Sequence, residues 1–275
     1  MEGKVEAIAK ELNDNGLHFE TKLEQEGESV TQEIKVGCDD KISEEEQNKI
    51  CLMRALVEKQ DPSSKEVDDF EIRRFLRARD LDVDKASAMF LKCLKRKKSI
   101  APNGFISASE IPNEIAHNKM FMQGRDKQGR PIAVILGARH FHNKLGGPDE
   151  LKRFVVLALD KLCSRTSPGR EKFVVIADFQ GFGYSNSDAR AYIGALSILQ
   201  DCYPERLEKL IVVHVPYLFW TMWKIVYPFI DNKTKKKITF VENKRLVTTL
   251  LQDIDESQLP EIYGGKMPLV PIHEA

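Results

Sequence analysis

The chain has 275 residues, 31% of them charged, with 42 basic and 42 acidic side chains. That length can bury a sizeable core and fits one main domain plus a smaller module, and no apolar run reaches the roughly 18–20 residues that a membrane span needs. Five cysteines (Cys38, Cys51, Cys93, Cys163, Cys202) are odd in number, widely spaced and never arranged as C-x-x-C. This argues against a zinc site or a disulfide framework and fits a reducing cytosol.

The neutral total hides an asymmetry: residues 1–50 hold 6 basic and 14 acidic side chains, the remainder 36 and 28. A basic body favours an anionic partner such as a membrane surface or a phosphorylated headgroup. Nucleic acid is not expected, because no base-stacking motif accompanies the charge. Glu2, Glu6, Glu11 and Asp14 interrupt the region where a secretory signal would need an apolar core. Residues 1–40 are predicted to be an acidic, disordered tail, since they lack any sustained apolar period.

Order is expected from Ser43-Glu-Glu-Glu46, read as a capping box in which the Ser hydroxyl and the Glu carboxylate satisfy free amides at a helix start. Ile50, Met53, Leu56 and Val57 follow as one apolar stripe. Phe70, Phe75 and Leu76 mark a second helix, and Val83, Ala86, Phe90 and Leu94 a third, with Asp82 as its N-cap. Residues 41–100 therefore read as a helical module. Beyond Pro102-Asn103-Gly104, two strand-like segments, 119–124 and 131–137, flank the polar turn Asp126-Lys-Gln-Gly129. Short β-branched runs at 173–177, 210–215 and 238–241 alternate with helical patterns at 149–164 and 187–200. The fold class is thus α/β: a small N-terminal helical module, then, over residues 110–267, a predominantly parallel or mixed sheet covered by helices. Residues 268–275 are left as a C-terminal tail.

One stretch departs from the pattern of an ordinary surface helix. In residues 217–230 only Thr221, Lys224 and Pro228 lie outside the apolar and aromatic set, so the hydrophobicity runs all the way round. A central buried helix would explain this. A helix with lipid on one side and a membrane on the other would explain it too, and Trp220 and Trp223, followed by Lys233, Lys235, Lys236 and Lys237, fit interfacial anchoring. Pro216 suits a first helical turn, and Pro228 would interrupt or kink the helix.

Six motifs in order then carry a resemblance: Ile72-Arg-Arg-Phe-Leu-Arg-Ala-Arg79, Asp126-Lys-Gln-Gly-Arg-Pro131, Asp178-Phe-Gln-Gly181, Gln200-Asp-Cys-Tyr-Pro-Glu-Arg206, Pro228-Phe-Ile-Asp231 with Thr234-Lys-Lys-Lys237, and Leu259-Pro-Glu-Ile-Tyr-Gly-Gly265. Over roughly residues 45–265 the chain resembles the CRAL-TRIO family, of the phosphatidylinositol transfer protein type. The resemblance implies a non-enzymatic carrier without cofactor or metal, cytoplasmic and monomeric, which exchanges one phospholipid during transient contact with cytosolic membrane faces. It also implies a mobile gating helix near residues 217–230, whose Phe219, Trp220, Met222, Trp223, Val226, Tyr227 and Phe229 would line the gate and acyl pocket.

By the same resemblance, Arg79, Glu205, Arg206, Thr234 and Lys237 would hold a phosphoinositide headgroup. Arg79 and Lys237 would pair with phosphate, Thr234 would donate to its oxygens, and Glu205 would accept from inositol hydroxyls or orient Arg206. Where some members carry a second basic residue beside Arg79, this chain has Asp80. The phosphatidylcholine binders use two Tyr, a Ser and a Thr at positions that here are Met122, Ala133, Phe173 and Val175. The missing hydroxyls favour phosphatidylinositol or a phosphoinositide over phosphatidylcholine.

The other readings fare less well. Arg77 or Arg79 could pair with Asp80 or Asp82. The Gly181–Ser187 loop lacks the third Gly of a dinucleotide motif and the Lys of a P-loop, and its Tyr184, Ser185 and Ser187 read as pocket edge and helix cap. His140 and His142, with His117 upstream, lack a nearby Cys or carboxylate ligand in sequence, and the two read as surface residues. No serine sits in a G-x-S-x-G elbow. A lipid-sensing scaffold for a protein partner and a carrier of a sterol, tocopherol or retinoid are the alternative functions.

Overall fold

The polar turn at 126–129 starts the sheet. The buried Asp126 carboxylate accepts from the Gln128 and Arg130 amides at 3.0 and 2.8 Å and from Arg130 Nε at 2.6 Å. Gly129 takes φ +78°, a conformation that side chains with a Cβ rarely adopt. The turn joins β1 (Met120–Arg125) to β2 (Pro131–Leu136) as an antiparallel pair, as the sequence predicts. The computed structural model describes residues 42–142, 147–167 and 170–275. The expected acidic tail over 1–40 lies outside the described residues.

Three helices precede the sheet: α1 (Glu44–Gln60), α2 (Asp69–Ala78) and α3 (Val83–Ile100). Ser43, Asp68 and Asp82 cap them by accepting amide hydrogen bonds, the last as expected. Their apolar faces meet in Ile50, Met53, Val57, Ile72, Phe75, Leu76 and Phe90, with Phe75 edge-on to Phe90 at 5.1 Å. The capping box is only half formed. Glu46, expected to reach back to the helix start, is buried and accepts from Arg73 Nε at 3.0 Å and Arg77 Nε at 2.6 Å. Two guanidinium groups outcompete one backbone amide for a carboxylate.

The short α4 (Pro112–Ala116) leads into the sheet, and α5 (Gly147–Ser164), β3 (Phe173–Asp178), α6 (Ala189–Cys202), β4 (Leu207–Val213), α7 (Tyr217–Val226), α8 (Asn232–Lys235), β5 (Ile238–Phe240), α9 (Leu246–Asp253) and β6 (Val270–Pro271) follow. The sheet order is β5-β4-β3-β2-β1-β6, parallel from β2 to β5 and antiparallel at β1 and β6. A sheet buried on both faces needs continuous apolar strands, and β3 is buried at every position. Phe173 and Val175 face α5 and α6, whereas Val174 and Ile176 face Leu246 and Leu250 of α9. Cys93 on α3 and Cys202 at the end of α6 meet across the seam between the module and the α/β part, each sulfur about 4 Å from the other's carbonyl.

Several expectations need correction. Residues 268–275, expected as a tail, supply edge strand β6, and Ile272 is fully buried with its amide donating to Met120 O at 3.0 Å. Two strand residues are too few to show an alternating pattern. Ser187, expected to cap α6, donates to Gly183 O instead, and Asp188 makes the cap. A carboxylate is the stronger acceptor for helix-terminal amides. Tyr184 is 86% exposed and does not line a pocket edge. His140, expected at the surface, is turned inward after a 3-10 turn, and the Lys119 ammonium donates to its Nδ1 at 3.0 Å. Burial, reinforced by the Lys119 charge, pushes its pKa down to about 4, so it is neutral near pH 7. His142 is exposed, as expected.

The C-terminal Tyr-Gly-Gly motif has a packing explanation. A Cβ on Gly265 would lie 2.1 Å from Leu259 O, and Tyr263 donates its hydroxyl to Asp178 Oδ2 at 3.0 Å, tying the segment to the end of β3.

The Glu46 site gives a test of module stability. Burial raises the carboxyl's pKa, but the hydrogen bonds from Arg77 and Arg73 outweigh it and hold it below the ordinary 4.5. Its contribution is therefore present above that value and is lost as pH falls through the depressed folded value. Glu46→Gln is expected to cost about 3 kcal/mol in urea unfolding at pH 7, the lower end for a broken buried pair because Arg77 is partly solvated. The gap from wild type should close as pH drops below 4.5; a gap that is constant with pH would refute this account.

Candidate functional site

A cleft of about 330 Å³ opens where the helical module meets the α/β part. Three chain segments far apart in sequence line it: the end of α2, the end of α6 running through the turn after it into the start of β4, and α8 with the residues beside it. Of the five expected headgroup residues, the structure brings together Arg79, Glu205, Thr234 and Lys237.

Arg79 caps α2, and the chain behind it turns through two consecutive left-handed residues, Asp80 (φ 51°) and Leu81 (φ 62°). The Leu81 amide bonds Leu76 O at 2.8 Å, so the turn is fixed. The arginines of this motif fare differently. Arg73 and Arg77 bind Glu46, and Arg74 binds Glu171 at 2.5 Å. Among the described residues no carboxylate lies within ion-pair distance of Arg79, whose guanidinium donates to Ala78 O at 3.0 Å. The expected structural pairing of Arg77 or Arg79 with Asp80 or Asp82 does not occur: Asp80 pairs with Lys233 and Asp82 with Lys85.

Glu205 also has a left-handed backbone, φ 57°, which sends it and its neighbour in different directions. Glu205 faces the cleft, its Oε2 3.8 Å from Lys237 Nζ. Arg206 does not: its guanidinium donates to Thr166 Oγ1 at 3.3 Å and Glu171 O at 3.0 Å, bracing the approach to β3. Thr234 sits in the first turn after Asp231, which accepts both its amide (2.8 Å) and its hydroxyl (2.6 Å). The Thr234 hydroxyl proton is thus committed internally, and an incoming oxyanion must compete with Asp231 for it. Lys237 is held by its backbone, because Leu210 N donates to Lys237 O at 2.8 Å at the edge of β4.

Beside the cleft lies α7, ending at Val226 ahead of Pro228 as its proline predicts. Phe219, Met222, Trp223 and Val226 are buried against Ala177, Val212, Ile238 and Phe240 of the sheet. Phe219 stacks on Trp223 with centroids 5.6 Å apart. Trp220 and Tyr227 are partly buried on the same cluster, Trp220 against Phe240 at 5.0 Å. Phe229 does not join them and is 54% exposed, as are Tyr217 and Ile225 to a similar degree. Trp223 Nε1 is buried and has no hydrogen-bond partner among the described residues. Gln200 on α6 holds the chain leaving α7, donating to Phe229 O at 3.1 Å and accepting from Asp231 N at 2.8 Å.

Asp231, Gln200 and Lys233 belong to this site although motif reading did not assign them. Asp231 was legible as an N-cap three residues before Thr234. Gln200 and Lys233 carry no such local signal. The positions Met122, Ala133, Phe173 and Val175 gather on one buried sheet face, Met122 opposite Ala133 and Ala133 opposite Val175 in register. Among the described residues no three His, Cys, Asp or Glu side chains converge as metal ligands, and no helix is long and apolar enough to cross a membrane.

Residues 115–265 match the CRAL/TRIO domain. The Sec14 cytosolic factor of Schizosaccharomyces pombe is 31% identical over 215 residues, covering 72% of this chain and 75% of that protein. The phosphatidylinositol/phosphatidylcholine transfer protein SFH12 of Arabidopsis thaliana is 29% identical over 224 residues, covering 72% of this chain. A CRAL-TRIO domain-containing protein of S. pombe is 28% identical over 244 residues. The chain spans 40% and 23% of the length of the last two. The crystal structure of Sfh5 superposes with a TM-score of 0.59 at 15% identity, over 77% of this chain and 85% of that one, a likeness of fold. With more than half of its length matched by the domain and its sheet, helical module and motifs in the expected order, the chain belongs to the CRAL/TRIO family.

Proposed function

We propose that this chain binds one phospholipid, with phosphatidylinositol or a phosphoinositide preferred, and exchanges it at membrane surfaces without covalent chemistry. The observation that carries the reading is Arg79. Its three neighbouring arginines are occupied by carboxylates, whereas Arg79 lines the cleft with Lys237, Thr234 and Glu205. A cation without a carboxylate, a lysine loosely paired at 3.8 Å and a hydroxyl suit a phosphodiester, and Glu205 suits ring hydroxyls. Relatives that carry phosphatidylinositol and phosphatidylcholine in their names support lipid exchange as the activity class. In this chain Met122, Ala133, Phe173 and Val175 offer no hydroxyl on the buried sheet face, which weighs against phosphatidylcholine held there.

In this reading α7 is the gate. Its inner face covers the sheet, its outer face carries Tyr217 and Ile225 with Lys224, and exposed Phe229 follows in the next turn, a composition suited to contact with an anionic bilayer. Swinging outward would exchange one apolar environment for another, and lipid chains would take the place vacated on the sheet. The unpaired Trp223 Nε1 lowers the cost of leaving, since a buried N–H without an acceptor costs roughly 1–3 kcal/mol.

Two measurements test this. Wild-type protein is expected to move labelled phosphatidylinositol between phosphatidylcholine vesicles. Lys237→Ala and Arg79→Ala should each slow this about tenfold or more, the loss of one charge-assisted contact of roughly 1.5–3 kcal/mol. Undiminished transfer by both variants, or no inositol lipid co-purifying in native mass spectrometry, would remove the headgroup assignment. Trp223→Phe, which deletes the orphaned N–H while keeping an aromatic ring, is expected to raise the melting temperature of lipid-free protein and to slow exchange. A lowered melting temperature would show instead that the indole contributes to closure.

A further inference from the structure

We infer that Asp80 sets headgroup selection: by holding Lys233 at the rim of the cleft, it limits the site to a lipid with a single phosphodiester and disfavours one that also carries a phosphate on the ring. The inference rests on the cargo class proposed above and goes beyond it to a residue that touches no ligand.

Three basic side chains line the cleft, Arg79, Lys233 and Lys237, and three acidic ones, Asp201, Glu205 and Asp231. Asp201 is taken by Arg96 at 2.7 Å and Lys92 at 3.2 Å, and Asp231 by the α8 cap. Of the cations, Arg79 is available and Lys237 is only loosely engaged. Lys233 is withdrawn. Its ammonium donates to Asp80 Oδ1 at 2.8 Å and to Arg77 O at 3.1 Å, both outside the cleft lining. Two cations match one phosphodiester charge and the nearby Glu205. A ring phosphate adds about −1.5 to −2 more and would require the third cation.

Asp80 is suited to the role by its backbone. It occupies the left-handed region at φ 51°, where Asp and Asn are tolerated better than most residues, and the turn is closed by the Leu81 and Asp82 amides bonding Leu76 O and Arg79 O. The carboxylate is thereby presented from a fixed turn, whereas Lys233 sits on a long flexible stem that can reach either side. Both groups are largely solvated, so the pair contributes little to stability, and its consequence is the direction in which one charge points.

Asp80→Asn keeps the backbone preference and removes the charge; Asp80→Gly suits the same φ and removes the acceptor as well. The test measures uptake from phosphatidylcholine vesicles carrying a small fraction of either phosphatidylinositol or phosphatidylinositol 4-phosphate. Both variants should shift the ratio toward the phosphorylated lipid by roughly three- to tenfold, with melting temperatures unchanged. Adding Lys233→Met to Asp80→Asn should return the ratio toward wild type. An unchanged ratio in both Asp80 variants, in protein that takes up phosphatidylinositol, would overturn the inference while leaving the cargo reading intact. Wild-type protein that takes up neither inositol lipid would overturn both.

Discussion

The Arg74–Glu171 ion pair ties α2, whose end lines the cleft, to the approach to the sheet. Arg74 is buried on α2, Glu171 precedes β3, and the contact of 2.5 Å joins residues 97 apart in sequence. The Glu171 carbonyl also accepts from Arg206, which leads into β4, so one short segment organises the approach to both central strands. Glu46 neutralises Arg73 and Arg77 on the same helix. With those side chains fixed, the C-terminus of α2 lies at the strand edge, and Arg79 and Asp80 follow at its rim. A cleft assembled from three segments distant in sequence depends on such a joint, because none of them could form it locally.

The segment between β4 and β5 meets two demands at once. Its first half must seal an apolar sheet, and its second must deliver Thr234 and Lys237 to a polar cleft. The chain resolves this by changing character at Pro228: α7 is apolar on its buried face, and the α8 region is basic. Gln200, through its two bonds to Phe229 O and Asp231 N, marks the boundary between the halves. Movement of α7 need not disturb Lys237, which is anchored by Leu210 N to a strand of the sheet. In the proposed function, headgroup recognition and gate movement would thus be mechanically separated although they share one connection.

Much of this was legible in the sequence because it rests on local chemistry. The hairpin at 126–129, the Asp82 cap, the central strands and the break at Pro228 follow from turn residues, capping and period. What the sequence did not show depends on non-local partners. Glu46 satisfies a local capping pattern yet serves two arginines 27 and 31 residues away. Arg206 stands next to Glu205 in the motif, but the left-handed backbone at Glu205 separates their directions. Strand β6 is too short for its pattern to be read and is defined by β1 beside it. His140 reads as a surface residue until Lys119, just ahead of β1, is placed against it. The four gathered headgroup candidates came from the family resemblance and not from periodicity, and the roles of Gln200 and Lys233 emerged only with the fold.

For the carrier function proposed above, the internal pairing of the cleft bears on how cargo would be both held and released. A site of isolated charges would bind tightly and be costly when empty, because each buried or half-buried ion would lack a partner. Here Thr234 has Asp231, and Lys237 has Glu205 at a looser 3.8 Å, so the polar groups of the cleft are partnered among themselves. Binding then exchanges one set of polar contacts for another, and the net gain is smaller than the sum of the contacts formed. Arg79, with no carboxylate at ion-pair distance among the described residues, would supply the bias toward an anion. A site built this way discriminates by charge and shape while keeping the free-energy difference between loaded and empty states modest, which is the condition for exchange in both directions.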